Sequence, residues 1–304
     1  MQILIRTLFL LTLLLNSFRL FAQNGPPTVE QVRGYMDEDY RQTKVPLSEV
    51  YKTEARKIAV GADSVTIQIY YPTGRRNLPI LYNVHGGAFI WSPGPDMNIS
   101  RILCNRTQSI VVSVDYRLAP EHPFPTSIND AYAVWNWITA NAQRLGGDPN
   151  RVSLVGDSAG GLFIAALQVK RQQEGKPARP LAMVFVNPGI DLREGAPGGG
   201  EYRLVSNMYL GGAAPNSPLA SPILADNFGD YPPSLVIISE KDAIRQHGIL
   251  LADKLKAAGR ACQLVDLPGL DHLGPIWTAA NPKAQSAIDA TVNFLNTANT
   301  KRGK

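Results

Sequence analysis

Residues 151–170 read RVSLVGDSAGGLFIAALQVK, and the fold turns on how that stretch is read. Val152 to Val155 is a short β-rich run. Leu162, Ala165, Ala166 and Val169 then recur at helical spacing. Between them lies Gly156-Asp157-Ser158-Ala159-Gly160-Gly161. A G-x-S-x-G segment set between a strand and a helix is a nucleophile elbow, a turn sharp enough to lift a serine hydroxyl clear of a sheet. The glycines have a steric reason, since a Cβ beside so tight a turn crowds the neighbouring chain. The turn also puts the Ala159 N–H at a helix N-terminus, where it can donate to an anion.

Outward from the elbow, strands and helices alternate. Val65, Ile67 and Ile69 alternate with polar residues before Pro72, which predicts an edge strand and the start of the sheet. Further strands are expected at 79–84, 110–114, 182–186, 235–239 and 263–267. Helical patterns cover about 100–107, 128–142, 249–258 and 282–296. Alternation of this kind means βαβ units and an α/β fold, with a mostly parallel central sheet flanked by helices. Two regions stand outside the alternation. Over 27–53, Thr28 and Gln31 form a capping box, and Val29, Val32, Met36 and Tyr40 mark one apolar face until Pro46 breaks it. A pair of short cap helices is expected there. Over 189–233 the chain is rich in Gly and Pro, as in Ala196-Pro197-Gly198-Gly199-Gly200, which predicts a loop-rich insertion able to act as a lid.

The chain has 304 residues and a net charge of +5. Arg6, then the apolar run Leu8 to Leu15, then Ala22 read as a secretory signal peptide over 1–22, too short in its apolar core for a membrane span. Export to the periplasm or the medium is the expectation, with residues 23–304 as a single domain and no stable span after cleavage. Arg6 and Arg19, with Lys301, Arg302 and Lys304 at the other end, account for the whole net charge. The body between is neutral, and no aromatic–basic pattern is present, so nucleic acid is not an expected partner. Cys104 and Cys262 fall on a helix and a distant strand, and read as two free buried thiols. No Cys or His pair has metal-ligand spacing, and no cofactor is implied.

A serine hydroxyl is a weak nucleophile until a base removes its proton, and the base needs a carboxylate to hold its tautomer. In this kind of fold the chain order is Ser, acid, His. Downstream of Ser158 stand only His247 and His272. His272 follows a strand directly, in a loop where catalytic groups of parallel sheets gather, and is the chosen base. Leu235 to Asp242 ends in two carboxylates. Asp242, past the strand end, is the chosen acid, and Glu240 is read as structural. His85-Gly86-Gly87-Ala88 follows the strand that ends at Val84. Gly86 and Gly87 there, with Ala159, are the expected oxyanion-hole donors, and His85 is read as orienting the loop.

These segments carry a resemblance. HGGAF at 85–89, VDYRLAPEHPFP at 114–125, GDSAGG at 156–161 and SPLASPI at 217–223 resemble the hormone-sensitive-lipase family of α/β-hydrolases, in its bacterial esterase branch. The likeness runs from about residue 50 to 296 in order and spacing. It implies a carboxylesterase with Ser158, Asp242 and His272 as its triad. Asp115, Arg117 and Glu121 match a family signature read as scaffolding. Two departures stand out. The family's D-P-L-x-D at the acid is here Asp242-Ala243-Ile244-Arg245-Gln246, and the cap segment ahead of SPLASPI is trimmed. The expected activity is hydrolysis of small acyl esters, with carbohydrate-linked acyl esters as a narrower expectation from export and the open cap. A non-catalytic ligand-binding protein on this scaffold, and an amidase or peptidase on the same triad, stay open at this point.

Overall fold

The structure, a computed structural model, describes residues 26–43, 45–176, 178–272 and 282–301. The expected signal peptide at 1–22 lies outside the described residues. In chain order the elements are α1 Val29–Thr43, β1 Lys52–Val60, β2 Asp63–Tyr71, β3 Leu78–Val84, α2 Asn98–Thr107, β4 Ile110–Asp115, α3 Thr126–Asn141 and β5 Gly147–Asp157. There follow α4 Ala159–Gln173, β6 Met183–Val186, α5 Gly199–Leu210, β7 Ser234–Ser239, α6 Arg245–Ala257, β8 Cys262–Leu267 and α7 Pro282–Lys301. The strands form one eight-stranded sheet in the order β1-β2-β4-β3-β5-β6-β7-β8. β1, β2 and β4 pair antiparallel, and every later pairing is parallel.

Both faces of the sheet are covered, which is why the middle strands are apolar without alternation. β4 divides its side chains between two cores. Ile110, Val112 and Val114 join the cluster under α3 and α4, while Val111 joins the one under α2 and α7. Phe163, Ala165 and Ala166 of α4 are fully buried, so the elbow helix is a central prop of the fold.

Three expectations need correction. The sheet does not begin at Val65. β1 precedes it, turning at Gly61 (φ 62°) and running back along β2 with Lys52 opposite Tyr71. Lys52, Glu54, Arg56 and Lys57 give β1 no apolar period, and charges of this kind protect a sheet edge from other chains. Among the described residues, region 27–53 holds one helix, α1, rather than two. Its capping box is present, with Thr28 N–H on Gln31 Oε1 at 2.9 Å and Gln31 N–H on Thr28 Oγ1 at 3.3 Å. Its predicted face, Val29, Val32, Met36 and Tyr40, packs on the core. The insertion at 189–233 is not all loop. It contains α5, whose ends are set by Gly198 (φ 137°) and Gly211 (φ 56°). Both cysteines are free, as expected, but only Cys104 is buried; Cys262 is half-buried. Among the described residues no helix is long and apolar enough to cross a membrane.

Candidate active site

The site is built where β3, β5, β7 and β8 end. Ser158 stands between β5 and α4 at φ 49°, ψ −116°, a backbone conformation that a non-glycine residue keeps only when its surroundings enforce it. They do so here. The Ser158 N–H donates to Val186 O at 2.9 Å, and Ser158 O accepts from Gly161 N–H at 3.0 Å and Gly189 N–H at 3.1 Å. A Cβ on Gly160 would land on the Val84 carbonyl, and one on Gly156 would meet the Gly160 carbonyl. Helix and strand can cross this closely only with glycine at both places.

His272 Nε2 is 2.8 Å from Ser158 Oγ. His272 Nδ1 is 2.9 Å from Asp242 Oδ2, and the Asp242 side chain is 1% exposed. Its other oxygen, Oδ1, accepts from the Ile244 N–H at 2.9 Å. Three residues far apart in sequence are thus brought together as the Ser, acid, His order requires. The loops that carry the acid and the base are also joined to each other. Lys241 N–H donates to Leu270 O at 2.9 Å and Glu240 N–H to Leu267 O at 3.1 Å. The Glu240 carboxylate accepts from Gly269 N–H at 2.5 Å, which is the structural part expected of it. His247 lies elsewhere. It is buried on α6, and burial lowers its pKa; its Nε2 bonds the Pro197 carbonyl at 2.7 Å, tethering the insertion.

Asn187 was not foreseen. It is 1% exposed with φ 44°, and its Nδ2 reaches both Ser239 Oγ at 3.0 Å and His272 O at 2.8 Å. A lone Asn after a strand carries no sequence signal for such a bridge.

The loop after β3 is held peptide by peptide. Tyr116 OH donates to His85 O at 2.9 Å and to Gly86 O at 3.2 Å. His85 Nδ1 is 2.5 Å from the Gly86 carbonyl, so this nitrogen carries the proton. The ring stacks on Tyr116 with centroids 4.3 Å apart, and burial pushes its pKa down to about 4. His85 therefore orients the loop, as expected. The Gly86 N–H donates to Asp157 Oδ2 at 2.8 Å. It is taken up by a carboxylate and not free for an oxyanion, which corrects the expectation for Gly86. The Gly87 carbonyl accepts from Ile90 N–H at 3.1 Å and Trp91 N–H at 2.9 Å. A trans peptide points its C=O and N–H in opposite directions. Pinning the Gly86 and Gly87 carbonyls therefore aims the Gly87 and Ala88 N–H groups the other way. Among the described residues neither meets an acceptor. The Ala159 N–H, first in its helix, has none by position. Ala88 (φ 51°) is a residue whose unengaged N–H sequence reasoning did not single out. Burial lifts the Asp157 carboxyl to about 7, against the Gly86 N–H, which lowers it.

The signature residues are scaffolding. Arg117 clasps Asp130 with Nε and Nη2 at 3.0 and 2.7 Å and also pairs with Asp63. Asp115 accepts from Ser92 Oγ at 2.7 Å, and Glu121 pairs with Arg33 at 2.7 Å.

A serine elbow at the centre of a mostly parallel eight-stranded sheet, with an acid and a histidine on later strand ends, defines an α/β hydrolase. Comparison with known proteins agrees. A family described by the alpha/beta hydrolase fold matches residues 81–274. The chain is 34% identical over 254 residues to carboxylesterase NlhH of Mycobacterium tuberculosis, covering 76% of this chain and 79% of that one. It is 33% identical over 229 residues to an arylesterase of Saccharolobus solfataricus, covering 71% and 74%. The solved structure of EstE1, a thermostable carboxylesterase from a metagenomic library, superposes with a TM-score of 0.82 at 30% identity, covering 90% of this chain and 98% of that one. The chain belongs to the hormone-sensitive-lipase family of α/β hydrolases and is a carboxylic ester hydrolase.

Proposed function

We propose that the chain hydrolyses small acyl esters through an acyl-enzyme on Ser158. Ser158 Oγ attacks the ester carbonyl while His272 Nε2 takes its proton. Asp242 holds the other ring nitrogen and stabilises the imidazolium. The charge that develops on the carbonyl oxygen is met by the N–H groups of Gly87, Ala88 and Ala159, each typically worth roughly 10²–10³ in rate. His272 returns the proton to the leaving alcohol, and water then cleaves the acyl-enzyme by the same groups in reverse. The observation that carries this reading is the unbroken line from Ser158 Oγ to His272, 2.8 Å, and from His272 to Asp242, 2.9 Å.

Ser158→Ala tests it. The variant keeps its fold and loses kcat on a short aryl ester by roughly 10⁴–10⁶. Full activity after that change sinks the mechanism. A narrower reading, from the export expected of residues 1–22 and the trimmed cap, is that the physiological substrate is a carbohydrate-linked acyl ester. Acetate release from acetylated oligosaccharides at a rate matching simple esters supports it; inertness there ends it.

A further inference from the structure

Helix α1 is fastened to the segment that follows the Gly87–Ala88 loop. Arg33 Nε donates to Ile90 O at 2.7 Å, and Nη2 donates to Ala119 O at 2.9 Å. The rest of the guanidinium fork closes on both oxygens of Glu121, each at 2.7 Å. One helical turn on, Asp37 Oδ1 accepts from Trp91 Nε1 at 2.8 Å. Tyr40, a further turn along the same face, meets the Trp91 ring edge-on with centroids 5.5 Å apart. Ile90 and Trp91 are the residues whose N–H groups hold the Gly87 carbonyl. Ala119, whose carbonyl Arg33 takes, donates its own N–H to Phe89 O at 3.1 Å. Between these anchors lie Ala88 at φ 51° and Phe89 at φ 70°. Two successive non-glycine residues in the left-handed region are unfavourable and persist only where neighbours over-determine them.

We infer that Arg33 is a positioning residue for acyl transfer. By holding the Ile90 and Ala119 carbonyls in one fork it fixes the turn over residues 87–91, and that turn aims the Ala88 N–H at the oxyanion. Arg33 touches no reacting atom itself, and the inference rests on the proposed role of Ala88 as a donor. Lysine cannot replace the fork, because a single ammonium has no planar array to span two carbonyls and a carboxylate.

The test uses Arg33→Met and Arg33→Lys in the full chain, with active sites counted by complete titration with an organophosphonate. Three quantities are read for each titrated site: kcat and KM on a short aryl ester, and the Ki of a trifluoromethyl ketone, which forms an oxyanion when bound. Arg33→Met lowers kcat roughly 10–100-fold and weakens the ketone by the same factor, because one donor is misaimed and not lost. KM stays within about twofold, because the ground state does not use that donor. Arg33→Lys falls between the two. A merely structural role lowers the titrated fraction and the melting temperature but leaves kcat per site and Ki unchanged, and that result overturns the inference. If Arg33→Met does not fold, Arg33→Lys decides by the same readings. Failure of the phosphonate to label Ser158 removes the underlying mechanism instead, and the inference with it.

Discussion

At the floor of the site Asn187 is 1% exposed and ties the end of β7 to the carbonyl of His272. Over the site, Arg203 of α5 pairs with Glu194 at 3.0 Å, with side chains 45% and 91% exposed. The two regions are held by different physics. The floor hangs on the ends of buried parallel strands, where groups such as the Asn187 amide nitrogen are held by specific partners. Removing one such partner leaves a desolvated group behind. The cover is anchored by buried groups such as Tyr209 and the His247–Pro197 bond, but its outer rim carries an ion pair in water, which contributes little. The difference teaches where change costs most: at the buried floor a lost partner is left desolvated, while at the exposed rim it returns to water.

The sharpest way to break that comparison is at the acid. Asp242→Asn keeps the shape but offers His272 Nδ1 an amide in place of a carboxylate, so the imidazole takes the wrong tautomer. A fall in kcat of roughly 10³–10⁴ is expected with the fold intact. A loss under tenfold would mean that the buried floor is less exacting than argued.

A smaller effect comes from protons held in the floor. Burial raises Asp157 from 3.8 to about 7 and lowers His85 from 6.5 to about 4. Asp157, being raised, contributes stability that is full below about pH 4 and is lost as pH rises toward 7. His85, being lowered, contributes stability that is present above about pH 6.5 and is lost as pH falls toward 4. The two slopes oppose each other across the shared window. Asp157→Asn removes one of them, so the variant gains on the parent by at most a few kcal/mol between about pH 4 and 7. Urea melts across that range check it, and a pH-independent difference would refute the raised carboxyl. The least effect belongs to the cover itself. Arg203→Ala changes stability by no more than about 0.5 kcal/mol in thermal melts. A larger loss would show that the rim pairs hold more than they seem to.

How much could be read from the residues follows the same division. The elbow and the His-Gly-Gly loop are legible because close backbone crossings demand glycine at set places, as at Gly156 and Gly160. Asp242 and His272 are legible because parallel strands deliver their ends to one side. β1 escaped because an edge strand made of Lys, Glu and Arg has no apolar period to find. α5 escaped because glycines crowd both of its ends. The engagement of the Gly86 N–H by Asp157 spans 71 residues, and no local pattern encodes a bond of that kind. Charge shows the limit too: Arg33 looks like any surface arginine of a helix until the carbonyls of Ile90 and Ala119 appear beside it.

The stitching of the Glu240–Lys241 turn to Leu267, Gly269 and Leu270 has a mechanical consequence. The loops carrying Asp242 and His272 are bonded to each other at the sheet's β8 side, whereas Ser158 stands at the middle of the sheet. When that side of the molecule breathes, the imidazole and its carboxylate travel together. The contact between that unit and Ser158 is then the joint on which the proposed proton transfer depends.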